Sequence, residues 1–303
     1  MQEIKEYKLW NKKRFIWYLV WTFSVAWVLQ VIASYFAWQG NQPVFTVILA
    51  VSMFAPLLGA ILAKAPIRNI GWVPKFKENT KNTVNGILLA WFGPALFTVL
   101  GAVLYFAIFP DRFDTTGMYL KAAGGEEVFA QLQALGITPV MYAVIGAVQA
   151  ITYAPVVNMF FGVGEEAGWR GVMQPMLKER LGRVKGCVVS GIIWGAWHWP
   201  VMILAGYEYG LEYWGAPFLG MAMFCLCTVV LGTLLDAVYE MTECIWVPAL
   251  GHGAFNAIAG VTYMILNTDY LNQRTVGPSP IGIISMLPML IVAVIILVKK
   301  DKK

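Results

Sequence analysis

The sequence predicts an all-α integral membrane protein, a bundle of about eight transmembrane helices with both termini cytoplasmic, and three observations carry that prediction. Of the 303 residues, 59% are hydrophobic and only 13% charged, whereas soluble domains carry roughly 45–50% apolar and about 25% charged residues. The apolar residues come in long blocks, each near the ~20 residues a helix needs to cross a bilayer. The basic residues fall between those blocks in a pattern that fixes a topology. The short alternating strands of a β-barrel are not present in the sequence.

The blocks place spans at about 15–38, 43–63, 83–109, 140–163, 186–206, 218–238, 245–266 and 281–298. The first is too long for a signal-peptide core and is expected to be a retained helix. Between these spans, 19 of the 22 Lys and Arg residues lie on one side, in stretches 5–14, 64–81, 170–185 and 299–303. Only Arg112, Lys121 and Arg274 lie on the other. By the positive-inside rule the crowded side is cytoplasmic, which makes the chain a multi-pass protein of the cell membrane. The same topology accounts for the net charge of +5, and the expected partners include membrane lipids but no nucleic acid.

The outer stretch 110–139 carries Asp111, Asp114, Glu126 and Glu127, and its pattern predicts a short amphipathic helix from Glu126 to Leu135. No repeat, linker or low-complexity run interrupts the chain. One polytopic membrane domain over 1–303 is expected, with a chemical core at about 140–266. The four cysteines, Cys187, Cys225, Cys227 and Cys244, have no C-x-x-C spacing and read as small buried apolar residues.

Ionisable side chains inside spans cost roughly 2.5–3.5 kcal/mol each at mid-helix, so each needs a reason. Three clusters stand out. In the first, Glu165-Glu166-Ala167-Gly168-Trp169-Arg170, Glu166 and Arg170 are four apart and share a helix face. Glu165 points about 100° away from Glu166. Two carboxylates against one arginine leave one negative charge unneutralised, as a general base requires. Counting apolar residues puts Glu165 at the membrane edge.

The second cluster, Trp194-Gly195-Ala196-Trp197-His198-Trp199-Pro200, places His198 about 18 Å into the fifth span. Gly191, Gly195 and Ala196 permit close helix approach, and Pro200 frees the carbonyl of Ala196 and can kink the helix. In the third, Gly251-His252-Gly253-Ala254-Phe255-Asn256, the i,i+4 pair His252 and Asn256 face one neighbour. Taken singly, each cluster also reads as a packing or hydrogen-bonding device. Together they hold both histidines of the chain beside small residues in mid-span, which favours one shared site.

Glu165-Glu166-x-x-x-Arg170, Trp194-x-x-x-His198 and His252-x-x-x-Asn256, in that order, resemble the CPBP (Abi) family. That family groups type II CAAX-prenyl endopeptidases with bacteriocin-processing and bacteriocin-immunity proteins. One departure is Trp194, where the family usually has Phe; its expected role is packing beside the histidine. The resemblance implies an intramembrane endopeptidase of glutamic type, needing no cofactor, with a cavity open to the cytoplasm. Its substrate is expected to be a membrane-associated peptide or a prenylated or otherwise lipidated protein.

In that reading Glu165 and His198 hold and deprotonate water, His252 and Asn256 stabilise the oxyanion, and Glu166 and Arg170 orient the first pair. Which glutamate is the base stays open. A zinc-dependent version with ligands Glu165, His198 and His252 competes, since two histidines and a glutamate match an open hydrolytic Zn2+ site. Against it, His252 and Asn256 do not make H-E-x-x-H, and Asn is a poor zinc ligand. A non-catalytic immunity or membrane-binding protein is the rival from another class. A proton-coupled transporter is disfavoured because no internal repeat is present. Trp17, Trp21, Trp27, Trp38 and Trp91 read as interfacial or packing residues.

Overall fold

A backbone in hydrocarbon must pair its own polar groups, and helices are the simplest way to do so. The computed structural model describes residues 9–76 and 79–299, and among these there is no strand, only an isolated bridge between Phe113 and Leu266. Lys5, Lys8, Lys77, Lys300, Lys302 and Lys303, which enter the charge map, lie outside the described residues.

The helices are α1 (Lys12–Trp38), α2 (Gln42–Ser52), α3 (Ala55–Leu62), α4 (Thr80–Ile108), α5 (Met118–Ala134), α6 (Pro139–Ile151) and α7 (Ala154–Gly168). They continue with α8 (Gln174–Leu181), α9 (Arg183–Trp197), α10 (Trp199–Ala205), α11 (Phe218–Thr242), α12 (Trp246–Ile258) and α13 (Ile283–Val298). Five spans are long and apolar enough to cross a membrane: α1, α2–α3, α4, α9–α10 and α11. The regions of the other three expected spans hold shorter helices. The 140–163 region breaks into α6 and α7, α12 gives way to a 3-10 segment at Val261–Ile265, and α13 has 16 residues. The chain is thus an all-α, multi-pass membrane protein.

The expected amphipathic helix from Glu126 forms the second part of α5, which kinks at Gly125, where φ is +82°. A left-handed backbone of this kind suits glycine. α5 and α6 meet at a bend of 96°.

The two sets of loops gather at opposite ends. The basic loops reach the C-terminal end of α11, where Lys75 pairs with Glu243 at 2.6 Å and Lys178 with Asp236 at 2.9 Å. The other loops knit to one another. Asn267 N–H donates to the Arg112 carbonyl at 2.8 Å, the Tyr270 hydroxyl to Asp111 at 2.6 Å, and Arg274 to the Glu208 carbonyl at 3.5 Å.

Small residues allow the central helices to touch. A Cβ on Gly253 of α12 would sit 2.6 Å from the Pro155 carbonyl oxygen of α7. One on Gly195 of α9 would lie 2.7 Å from Cys225 Cα of α11. The first crossing joins two of the motif helices, and the second packs the third, α9, on α11.

Helix breaks free backbone carbonyls, and tryptophans take several of them up. Trp91 Nε1–H donates to the Ile151 carbonyl that ends α6, at 2.7 Å. Trp38 donates to Leu204 near the end of α10 at 2.7 Å, and Trp27 to Trp197 at the end of α9 at 3.2 Å. These indoles therefore bond helix ends as well as packing.

Asp114 organises the loop before α5. Its carboxylate accepts from the Thr116 hydroxyl and from the backbone N–H groups of Thr116, Gly117 and Met118, at 2.6–3.0 Å. Burial works to raise this carboxyl, but the four donors outweigh it and hold the group below its ordinary value. Its stabilising effect is complete at neutral pH and is lost as pH falls through that depressed value. Asp114→Ala is expected to cost about 2 kcal/mol. The expected readout is faster proteolytic nicking between α4 and α5 at neutral pH, with little difference from wild type in strong acid.

Candidate active site

Glu165 is enclosed by the protein. At Thr152 the backbone leaves the helix (φ −95°, ψ −87°), and α7 restarts with Pro155 in its first turn, where a proline sacrifices no helical bond. The restarted helix carries Glu165 and Glu166 into the protein interior, 2% and 0% exposed. A π-helical turn at Trp169–Met173 follows and holds Arg170, 1% exposed. Such turns insert a residue without ending the helix.

The two glutamates have separate partners. Glu165 Oε2 accepts from the indole N–H groups of Trp194 at 2.6 Å and Trp169 at 3.0 Å. Glu166 binds Arg170, with Nε 3.1 Å from Oε2, and its Oε1 is 2.8 Å from His252 Nδ1. Glu166 and Arg170 therefore brace His252, where the sequence led us to expect them behind Glu165 and His198. The i,i+4 spacing fixed the ion pair, while the approach of α12 decides what else it touches.

His198 sits at the break between α9 and α10. Its Nδ1 is 3.0 Å from the Trp194 carbonyl oxygen. A carbonyl only accepts, so Nδ1 carries the hydrogen and Nε2 holds the lone pair. Trp197 and Phe224 meet the imidazole edge-on at 4.6 and 4.7 Å between centroids, and Tyr207 stacks on it at 6.0 Å.

The break itself is clamped from α1. Gln30, fully buried, donates Nε2–H to the Trp197 carbonyl at 3.0 Å and accepts Val201 N–H on Oε1 at 3.4 Å. An unbroken helix would join those two backbone groups directly. One amide side chain thus replaces the bond opened beside Pro200.

On α12, His252 is buried against the Trp194 ring, 5.3 Å between centroids, while Asn256 is exposed. Glu165, His198, His252 and Asn256 all line one cavity of about 490 Å3, bounded further by α1, α2 and α11. Glu166 and Arg170 stand behind its wall. Sequence reasoning missed Gln30, Asn158 and the Tyr207–Glu208 pair, all of which line the same cavity. A buried glutamine in an apolar span was the available signal for Gln30. For Glu208, in the loop after α10, there was none. Burial raises its carboxyl above the ordinary value, against the Tyr207 hydrogen bond and Arg274, which lower it.

Among the described residues, no group of three His, Cys, Asp or Glu side chains converges closely enough to hold a metal ion. Glu165 Oε1 and both Nε2 atoms carry no hydrogen bond there, yet the three side chains do not converge as a Zn2+ ligand set where they are placed.

Replacing Gln30 with Leu keeps the volume but leaves Val201 N–H unpaired in a buried place. We expect a loss of about 1–3 kcal/mol, read as a lower unfolding temperature in detergent.

Among curated proteins, none matches the chain. Residues 147–258 match the model of the family described as type II CAAX prenyl endopeptidase, Rce1-like. Glu165, Glu166, Arg170, His198, His252 and Asn256 all fall inside the matched stretch. Over that stretch, a little over a third of the chain, the protein is similar to the Rce1-like type II CAAX prenyl endopeptidases, a likeness that supports an intramembrane protease in general.

Proposed function

We propose that this protein hydrolyses a peptide bond of a membrane-associated or lipidated peptide or protein, without a metal, at the cavity between α7, α9 and α12. The observation that supports it most is the separation of the two adjacent carboxylates. Glu166 is neutralised by Arg170 and His252, while Glu165 is held by neutral indole N–H groups and keeps its charge for proton transfer. Among the described residues, Glu165 Oε1 takes no hydrogen bond. In this reading the basic loops and both termini face the cytoplasm at the cell membrane, as the positive-inside rule implies.

In the proposed reaction, Glu165 Oε1 takes a proton from water while His198 Nε2, the lone-pair nitrogen, accepts the water's second hydrogen bond. The water oxygen bonds to the carbonyl carbon, and the carbonyl electrons move onto its oxygen. His252 already donates Nδ1–H to Glu166, so it can donate Nε2–H to that oxyanion only as the imidazolium. The Glu166 carboxylate favours that form. Asn256, exposed to the cavity one turn further along α12, supplies a second donor from its amide. The C–N bond then breaks and the departing amine takes the proton held by Glu165.

The cavity volume accommodates a peptide segment rather than a folded chain. Its lining includes Phe45, Val47, Phe161 and Phe224, apolar contacts suited to a lipidated or hydrophobic segment.

The test is purified protein in lipid nanodiscs against quenched prenylated and unmodified peptides. Glu165→Gln is expected to lower kcat roughly a hundred- to ten-thousandfold, and chelators are expected to leave the rate unchanged. Full activity in Glu165→Gln would sink the mechanism, and chelator sensitivity would restore a metal. The rate–pH profile is expected to be bell-shaped. It falls in acid as Glu165 is protonated and in alkali as His252 loses its second proton, and Glu166→Gln should move the alkaline limb to lower pH.

A further inference from the structure

One residue touches four of the five charged or titratable groups of the three motifs, all but Glu166. The Trp194 indole N–H donates to Glu165 Oε2 at 2.6 Å, the shorter of that oxygen's two hydrogen bonds. Its backbone carbonyl accepts from His198 Nδ1 at 3.0 Å. The Arg170 guanidinium lies over its ring, 4.2 Å from the centroid, and His252 packs against the same ring at 5.3 Å. Trp194 is 3% exposed and lines the cavity.

We propose that Trp194 is a positioning residue: its N–H and its carbonyl decide which oxygen of Glu165 and which nitrogen of His198 are left facing the cavity. This corrects the packing role that the sequence suggested, and it rests on the hydrolytic reading of the site. The N–H occupies Oε2 and so leaves Oε1 for the proton. The carbonyl, four residues before His198 on the same helix, fixes the tautomer that leaves Nε2 with a lone pair. Because both contacts belong to one residue, the base and its helper are set in a common frame at the end of α9. A hydrogen bond to a buried ion is also a stronger restraint than one between neutral groups.

Phenylalanine at this position keeps a ring but has no N–H. Trp194→Phe should therefore lower kcat roughly ten- to a hundredfold, with KM within about twofold of wild type. Without the donor the ionised form of Glu165 is less favoured, so the acid limb of the rate–pH profile should move to higher pH. The groups facing Glu165 are Glu166 on its own helix, Arg170 in the following turn, His252 from α12, His198 from the end of α9, Tyr18 from α1 and Tyr207 from the loop after α10. None of these is altered by the substitution.

Replacement of Trp194 by benzothienylalanine, which has the shape of tryptophan and no N–H, gives the same test where the Phe variant fails to fold. A readout independent of activity is the Trp194 indole 15N–1H resonance, identified by its loss in Trp194→Phe. It should lie downfield in the wild type and move upfield in Glu165→Gln. Wild-type kcat and acid limb in either Trp194 variant, or an indole resonance indifferent to Glu165→Gln, overturns the proposal. An indole that responds while the wild type cleaves no peptide overturns the hydrolytic reading alone.

Discussion

A carboxylate inside an apolar bundle must have its hydrogen-bonding capacity met by the protein, because an unpaired ion there is far more costly than in water. How Glu165 meets that constraint governs the rest of the site. An arginine partner would stabilise it but also remove its use as a base. Two indole N–H groups, from Trp169 and Trp194, satisfy one oxygen without bringing a positive charge. The positive charge goes to the neighbouring residue, Glu166, through Arg170. The ~100° that separates consecutive helical side chains lets two adjacent glutamates live in different electrostatic settings.

The same constraint shapes the backbone. Carrying Glu165 and His198 away from helix surfaces and into one cavity requires breaks, at Thr152 and at His198. Each break frees backbone groups. Gln30 bridges the pair opened beside Pro200, and Trp27, Trp38 and Trp91 donate to carbonyls at the ends of α9, α10 and α6. The first span, which looks like ordinary scaffold in the sequence, thus holds the break on which His198 sits.

Much of this was legible in the sequence, for identifiable reasons. Long apolar blocks mark helices whatever their neighbours do, so the helical regions and the break near Pro200 could be read directly. The helix from Glu126 was visible in its amphipathic pattern. Histidines in apolar spans are expensive enough to point to a shared site, and both line one cavity. Other features depend on three-dimensional approach and had no local signal. Apolar counting runs over the break at Thr152, so the restart of the helix at Ala154 and the enclosure of Glu165 by the protein had no local signal. The i,i+4 rule pairs Glu166 with Arg170 but says nothing of His252, which arrives from α12. A tryptophan in an apolar run reads as packing, and only the fold shows where its N–H points.

The arrangement's central claim is that Trp194 and Glu166 each hold one histidine by Nδ1, leaving both Nε2 atoms for the cavity. The chain has only two histidines, so 15N labelling of histidine gives an unambiguous spectrum of the site. The account predicts hydrogen on Nδ1 of both rings, with His198 neutral and carrying its lone pair on Nε2. A neutral ring with hydrogen on Nε2 and a bare Nδ1, at either histidine, would contradict it.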